Sequence, residues 1–448
     1  MPRPRGPRGA PLLRRFLLRG DVPGFFVGLE RDYPLVTHLR ILGEHAYVIN
    51  SPDAIVDVFL THGRMTMKGR GLQGTRAVLG NGLLTSEGET HLRNRRLVQP
   101  AFHRDRIAGY ARDMVALAEE HGRAWQPGTR VDMQSDMAAL TLAIVGRTLF
   151  GADLTGDARD VGAALNTMLE GMGNRLLLGP AALRLPTPGQ RQSLAAAAAL
   201  DALVQRLIDD HRSTGDTGDM LSMLIAAQED GIGFDDDQVR DEAMTLVLAG
   251  HETTAMTLTW TWLLLARNPA EAAWLHEELD DVLSDGPPAM EDVAHLPRTR
   301  AVVAESLRLY PPAWMLGRRL LEDRQIGGDG ESWTLPAGSI AIISPFALQR
   351  SPRWWDSSLA FRPQRWIDAH GQFSEDAPGQ PRGAWFPFGW GNRRCIGESF
   401  AWTEAVLVLA TLARDWAPTV LPGHEVTPRP AVTLRTSDGL PMTLVRRR

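Results

Sequence analysis

One cysteine, Cys395, stands in the stretch Phe388-Gly-Trp-Gly391-Asn-Arg393-Arg-Cys395-Ile-Gly397 and is the only thiol among 448 residues. A lone thiol is by default a small buried hydrophobe, but this setting argues for chemistry. Three glycines and an aromatic bracket it, in a run too rich in glycine for helix or strand. The next residues, Glu398 to Ala413, read as an apolar helix with Phe400, Ala401, Val406, Leu407 and Leu409 available for burial. The thiol thus sits at a helix N-terminus, where unpaired backbone N–H groups and the macrodipole favour the thiolate. Glycines beside it let a large flat group approach the backbone. A thiolate offered in this way suits a haem iron.

A second polar group, His251, Glu252, Thr253 and Thr254, interrupts the otherwise apolar run Met244 to Ala266. Asp235-Asp-Asp237 supplies N-capping carboxylates before it and Asn268-Pro269 a stop after it. The spacing predicts one helix of about 30 residues, near 45 Å long. His251 and Glu252 would cost several kcal/mol in lipid, so the helix belongs in a large protein core. Read alone, Thr253 and Thr254 bond back to carbonyls one turn earlier and Glu252 caps a neighbour. Glu305 and Arg308, three apart, read alone as a surface ion pair. Arg93, Arg95 and Arg96, after His91, read as a solvated face.

The elements that must carry these residues follow from the patterning. Leu35 to Asn50, with Gly43 in the middle, predicts a β-hairpin. Helical periodicity runs from about Asp53 to Arg308, broken by a glycine-rich irregular segment, Met65 to Glu89, and a Pro/Gly loop, Gly179 to Gly189. Ala195 to Ala199 reads as closely packed helix. Beyond Pro311 come short strands: Ser332–Leu335, Ser339–Ser344, and Ala431–Thr436 paired with Met442–Val445 across Ser437-Asp-Gly439. The expectation is a mainly α protein with a smaller β region, folded as one domain over residues 1–448 behind a basic, irregular arm at 1–34.

Composition sets limits. With 44% hydrophobic residues, 43 glycines and 30 prolines, the chain can bury a large core. A net charge of −5 argues against nucleic-acid partners. A single cysteine excludes an intrachain disulfide framework and four-thiolate metal sites, and suits a reducing cytoplasm. The first twenty residues carry six arginines and no acid. No run approaches the roughly 18 apolar residues of a membrane span. A cytoplasmic monomer is expected.

The cysteine stretch resembles the haem-binding loop of the cytochrome P-450 family, Phe-x-x-Gly-x-Arg-x-Cys-x-Gly, at Phe388, Gly391, Arg393, Cys395 and Gly397. Ala249-Gly250-x-Glu252-Thr253 resembles the oxygen-activation segment of that family. Glu305-x-x-Arg308 followed by Arg365 resembles its buried Glu–Arg–Arg core, and His91 to Arg95 its propionate clamp. The resemblance runs from about residue 35 to the C-terminus, with the motifs in family order.

What the resemblance implies is a fold with a long central helix over the haem, and Cys395 as thiolate ligand of haem b. Thr253 would hold oxygen or water and Glu252 would pass protons, while Gly250 would remove a side chain where the helix crosses the haem, beside Ala249. His251 is read as a packing or relay-adjacent residue and not as an iron ligand. His91, Arg95, Arg393 and Arg318 would hold the propionates, with Arg319 as the alternative to Arg318, and Phe388 would border the cofactor. Glu305, Arg308 and Arg365 would hold the cysteine loop in place.

The implied activity is insertion of one atom of O2 into a C–H bond of a large hydrophobic substrate: a carotenoid or other terpenoid, a fatty acid, or a sterol-like molecule. In motif detail the chain is most like the bacterial fatty-acid and carotenoid hydroxylases. Substrate is expected against Met65–Leu84, Met168–Leu185, Ala249 and Thr253, Trp314–Leu316 and Ser437–Gly439. The 53 residues after Cys395 are too few for a reductase domain, so a separate ferredoxin or flavodoxin is expected as electron donor, with Arg394 and part of the Arg93–Arg96 run as its basic docking patch. A haem-thiolate peroxygenase or isomerase, and a non-catalytic haem sensor or carrier, are the competing readings.

Overall fold

Asp235 caps the longest helix of the protein by accepting from Gln238 N, while the Gln238 side chain accepts from Asp235 N. This reciprocal pair sets the start of a 32-residue helix, Asp236–Arg267, which ends at Asn268 before Pro269. The computed structural model describes residues 3–7, 21–41, 43–153, 158–178, 187–215, 217–229, 231–284, 286–328, 331–377, 379–380 and 383–447. Residues 8–20 of the basic arm and most of the Gly179–Gly189 loop therefore lie outside the described residues, as does the end of the expected substrate stretch beyond Leu178. The last part of the arm, expected to be irregular, is instead the helix Val22–Asp32, capped by Asp21.

In chain order the longer helices are α1 (Val22–Asp32), α2 (Gly88–Val98), α3 (Arg104–Ala124), α4 (Met133–Phe150), α5 (Ala158–Leu178), α6 (Pro188–Thr214), α7 (Asp236–Arg267), α8 (Pro269–Val282), α9 (Pro297–Leu309) and α10 (Glu398–Asp415). The strands used below are β1 (Val36–Ile41), β2 (Glu44–Ile49), β3 (Thr66–Lys68), β4 (Arg130–Asp132), β5 (Leu316–Leu320), β6 (Arg324–Gly328), β7 (Glu331–Leu335), β8 (Ile340–Ile343), β9 (Thr419–Val420), β10 (Pro428–Pro430), β11 (Leu434–Thr436) and β12 (Pro441–Thr443).

Contacts divide the chain into two compact units, one of residues 1–69, 304–395 and 428–435, the other of residues 70–303, 396–427 and 436–448. The first unit is built on a five-stranded sheet of order β1-β2-β8-β5-β3. β1 and β2 form the expected hairpin, pairing Val36 with Ile49 and Ile41 with Glu44. β8 joins β2 in parallel, and β5 returns antiparallel to both β8 and β3. Tyr47, Val48 and Ile49 are fully covered, and Phe26 and Leu29 of α1 are buried in the same unit.

The second unit is helical. α7 packs chiefly on α4, and α10 on α3. Its three-stranded sheet has the order β9-β12-β4.

Three expectations change. The C-terminal hairpin does not form: β11 pairs with β10, whereas β12 lies between β9 and β4. The competing partner wins because Asp132 and Met133 bind the main chain of Leu440, through Leu440 N to Asp132 Oδ1 at 2.6 Å and Met133 N to Leu440 O at 2.8 Å. The Ala195–Ala199 run is helical, within α6, yet only Ala197 in it is buried, so its packing is one-sided. The Met65–Glu89 segment is also less irregular than its glycines suggest, since it holds β3 and the start of α2.

Candidate active site

Within the sheet unit the cysteine loop is a tight, defined structure. Gly389 and Gly391 take φ of +68° and +63°, left-handed values that favour glycine. A Cβ on Gly391 would also stand 3.3 Å from the carbonyl of Phe59, in the π-helical turn Val56–Thr61. Cys395 N donates to Phe388 O at 2.8 Å, closing the loop and leaving the thiol exposed. Phe388 and Arg393 are half-buried. α10 begins three residues after the cysteine.

Glu305 and Arg308 are fully buried, not on the surface. Arg308 holds Glu305 with two parallel bonds of 2.8 Å, from Nε and Nη2. Its remaining N–H groups donate to the carbonyls of Gln349, Ser358 and Ala360, so all five are used. Glu305 accepts further from Arg365 Nε at 3.1 Å, Arg362 N at 3.0 Å and Trp366 Nε1 at 2.9 Å. Burial pushes the Arg365 guanidinium below its ordinary value, against the pull of Glu305. A buried charge cluster this fully bonded fixes geometry.

The route from this cluster to the cysteine loop is aromatic. Trp366 lies 4.5 Å from Trp385, centroid to centroid, and Phe386 lies 4.9 Å from Trp390, next to Gly391. Isolated tryptophans carry no motif, so no sequence signal announces this ladder.

Arg318 and Arg319 alternate on β5 and so point to opposite faces. Arg319 is bound to Glu44 at 2.8 Å and to Gly338 O. Arg318 instead lies over the Phe59 ring at 5.5 Å, beside the turn that meets Gly391.

In the helical unit, residues 242–248 and 254–265 of α7 are buried, whereas Ala249 is exposed and Gly250 and Thr253 are half-exposed. The opening is small and nearly apolar, on one face of a covered helix. Thr253 Oγ1 donates to Ala249 O at 2.8 Å, and Thr254 Oγ1 to Gly250 O at 3.3 Å. His251 and Glu252 are buried. A Cβ on Gly250 would meet Val145 Cγ2 of α4 at 3.2 Å, so the missing side chain also serves the α4–α7 packing.

His91 of α2 is buried, with Nδ1 3.5 Å from Ser86 Oγ, and Arg95 one turn on is half-buried. Arg93 is taken up by Gly233 O at 2.6 Å and the Phe234 ring, while Arg96 is exposed. Glu242 of α7 escaped sequence reasoning. It accepts from Asn94 Nδ2 at 2.8 Å and Leu83 N at 2.9 Å, which ties α2 and the 80–86 turn to the central helix. Its neighbour Asp241 binds Asn81 N at 2.5 Å.

The chemistry of each part, taken by itself, suits a haem: the exposed soft donor sits in a loop that side chains would block, and within 242–265 the central helix is uncovered only at Ala249, Gly250 and Thr253. Among the described residues no cluster of three His, Cys, Asp or Glu competes as a metal site. No described helix is long and apolar enough to cross a membrane.

An exposed thiol in a glycine loop and, in the other unit, a covered helix with a threonine in its one half-exposed stretch are features that a haem-thiolate oxidoreductase would use. Residues 4–439 match the model of the family described as Cytochrome P450. The chain is 38% identical over 96% of its length to cyclooctatin synthase of Streptomyces melanosporofaciens, covering 92% of that protein. It is 35% identical over 93% of its length to cyclooctat-9-en-7-ol 5-monooxygenase of the same organism, covering 90%. Pentalenene oxygenase of Streptomyces avermitilis is 37% identical over 87% of the chain and 85% of its own length. The chain belongs to the cytochrome P450 family. It is a monooxygenase, acting with O2, a hydrophobic substrate and an electron-donating partner.

Proposed function

We propose that the enzyme hydroxylates a cyclic terpenoid, using electrons from a separate ferredoxin or flavodoxin. Cyclooctatin synthase, cyclooctat-9-en-7-ol 5-monooxygenase and pentalenene oxygenase, each matched over most of both chains, support the substrate class. Fatty acids and carotenoids fall behind on the same ground. When bound, haem b supplies the reduction of O2 and the oxidation of the C–H bond.

Each residue then has one task. Cys395, exposed in its loop, would hold the iron as thiolate and lend it electron density. His91, Arg95, Arg318 and Arg393 neutralise and orient the propionates. Phe388 and Ala249 exclude water with their apolar surfaces. Thr253 Oγ1, which donates to Ala249 O, would be the hydroxyl that turns to hold a proton for the oxygen chemistry the cofactor supplies, and Glu252 would be the acid that replenishes it. The Glu305–Arg308–Arg365 cluster, acting through the tryptophan ladder, keeps the sulfur in place. Arg394 and Arg96, both exposed, attract an acidic donor protein.

The test is the carbon monoxide difference spectrum of dithionite-reduced protein, with pentalenene as the first probe for a spin-state shift. A strongly red-shifted Soret band in wild type, lost in Cys395→Ser, is expected. A histidine-type band, or no haem, would remove the oxygenase chemistry and leave a carrier or sensor. Turnover with hydrogen peroxide but not with a ferredoxin system would favour a peroxygenase.

A further inference from the structure

The last turns of α3 and α10 meet at a glycine. A Cβ on Gly122 would stand 3.0 Å from Leu412 Cδ2 and 3.7 Å from Trp416 Nε1. The bare backbone lets the helices approach and leaves a gap in front of the indole nitrogen. Here the helical unit has a cleft of about 160 Å³, with the buried residues Ala118, Gly122, Leu412 and Trp416 as its floor.

Trp416 is only 5% exposed, yet its indole N–H makes no hydrogen bond among the described residues. A donor so deep normally has an acceptor. Trp125 shows the ordinary case: it packs edge-on against Trp416 at 5.6 Å and gives its own N–H to Asp136 Oδ2 at 3.0 Å. The Trp416 N–H faces the cleft instead, past the missing Cβ of Gly122.

The mouth of the cleft is charged. Arg123, Arg414 and Arg446 stand there against Glu119 and Asp415. Asp415 is engaged by Arg414, Nη2 to Oδ2 at 3.0 Å. Arg123 is exposed and uses Nε alone, on the carbonyl of Glu119 at 3.3 Å, which leaves its outer N–H groups for a ligand. Arg446 lies over the Trp416 ring at 6.0 Å. Carbonyls at the helix ends would repel an anion, but they are occupied here. Gly122 O accepts from Trp125 N, Leu412 O from Trp416 N, and Arg414 O from Arg447 Nε.

We propose that this cleft binds a small aromatic carboxylate. Its carboxylate accepts from Trp416 Nε1 and from Arg123, and its ring lies on Ala118 and Leu412. A space of about 150 Å³ holds a benzene ring, which sets the ligand near benzoate in size. None of the lining residues has a part in the oxygen chemistry, so occupancy can be read apart from turnover.

The experiment uses the full-length, haem-loaded protein with its iron held by a saturating azole inhibitor. Benzoate is titrated and followed by saturation-transfer NMR. Saturable binding is expected, with an unmoved Soret band and a melting temperature that rises with benzoate concentration. Benzamide, of the same size but uncharged, should bind about tenfold more weakly, because charge-assisted hydrogen bonds are the stronger ones. Trp416→Phe, which removes the N–H, and Arg123→Gln, which removes the charge, should each weaken benzoate several-fold with haem content unchanged. Gly122→Ala, which fills the space before Nε1, should abolish binding.

No saturable binding, or affinity that Trp416→Phe and Arg123→Gln both leave unchanged, would overturn the proposal. Equal affinity for benzamide would do the same, as would a Soret shift that follows benzoate and so puts the ligand at the iron. Should Trp416→Phe lose haem, the surface variant Arg123→Gln decides alone.

Discussion

Glu305 shows how a common pair of residues can have an uncommon role. Glu-x-x-Arg is frequent on exposed helices, and nothing in the two residues says that both will be buried. Only the resemblance pointed inward. Once buried, the pair cannot be broken cheaply: Glu305→Ala leaves Arg308 charged and without its carboxylate, and removing one partner of a buried pair costs about 3–5 kcal/mol. Denaturant unfolding should show that loss, with haem content falling alongside it.

At Thr253 the structure shows the resting arrangement, a hydroxyl bonded to Ala249 O. Thr253→Ala should therefore leave stability nearly unchanged while diverting electrons to peroxide, measured as product formed per electron. Glu404 of α10, fully buried, adds a pH signature. Burial pushes its acid up to about 8, above its ordinary 4.5, so the folded state binds the extra proton between these limits. Stability should fall as pH rises through that window, and no further above it. Thermal unfolding of Glu404→Gln should lack this component of the slope.

Elements were legible where local signals sufficed. The α7 caps are contiguous with the helix they end, and the β1–β2 turn carries its own glycine. The cysteine loop was legible because its chemistry lies within ten residues. The packing constraint on Gly250 was not legible because it comes from Val145, on a helix distant in sequence. The C-terminal hairpin failed for a similar reason: turn residues propose a local partner, but Asp132 and Met133 supply the bonds that decide. Glu242 was invisible because one carboxylate in a helix has many possible partners. Its bridge predicts that Glu242→Ala destabilises by about 1–3 kcal/mol, the cost of leaving buried donors unmet. Glu242→Gln should recover much of this, since Asn94 Oδ1 is buried without a partner and the Asn94 amide can turn to accept. Chemical denaturation of the two variants checks this.

For the molecule as a whole, the sequence conveyed class and chemistry better than chain path. Net charge is −5, so attraction of an acidic donor must come from a local patch. Arg394→Glu should slow electron delivery at low salt, and the difference from wild type should shrink as ionic strength rises and the Debye length falls to about 8 Å. Stopped-flow reduction over a salt series reads both effects.

The order of β9, β12 and β4 has a consequence for synthesis. β12 is the middle strand, so β4 stays without its neighbour until residues 441–443 leave the ribosome. At about 5–20 residues per second, the roughly 300 residues between them take about 15–60 s to appear. For that interval the nascent helical unit carries an unfilled strand position, open to chaperones or to another chain. Yield in a foreign host should therefore depend on translation speed and temperature more than on the stability of the finished enzyme.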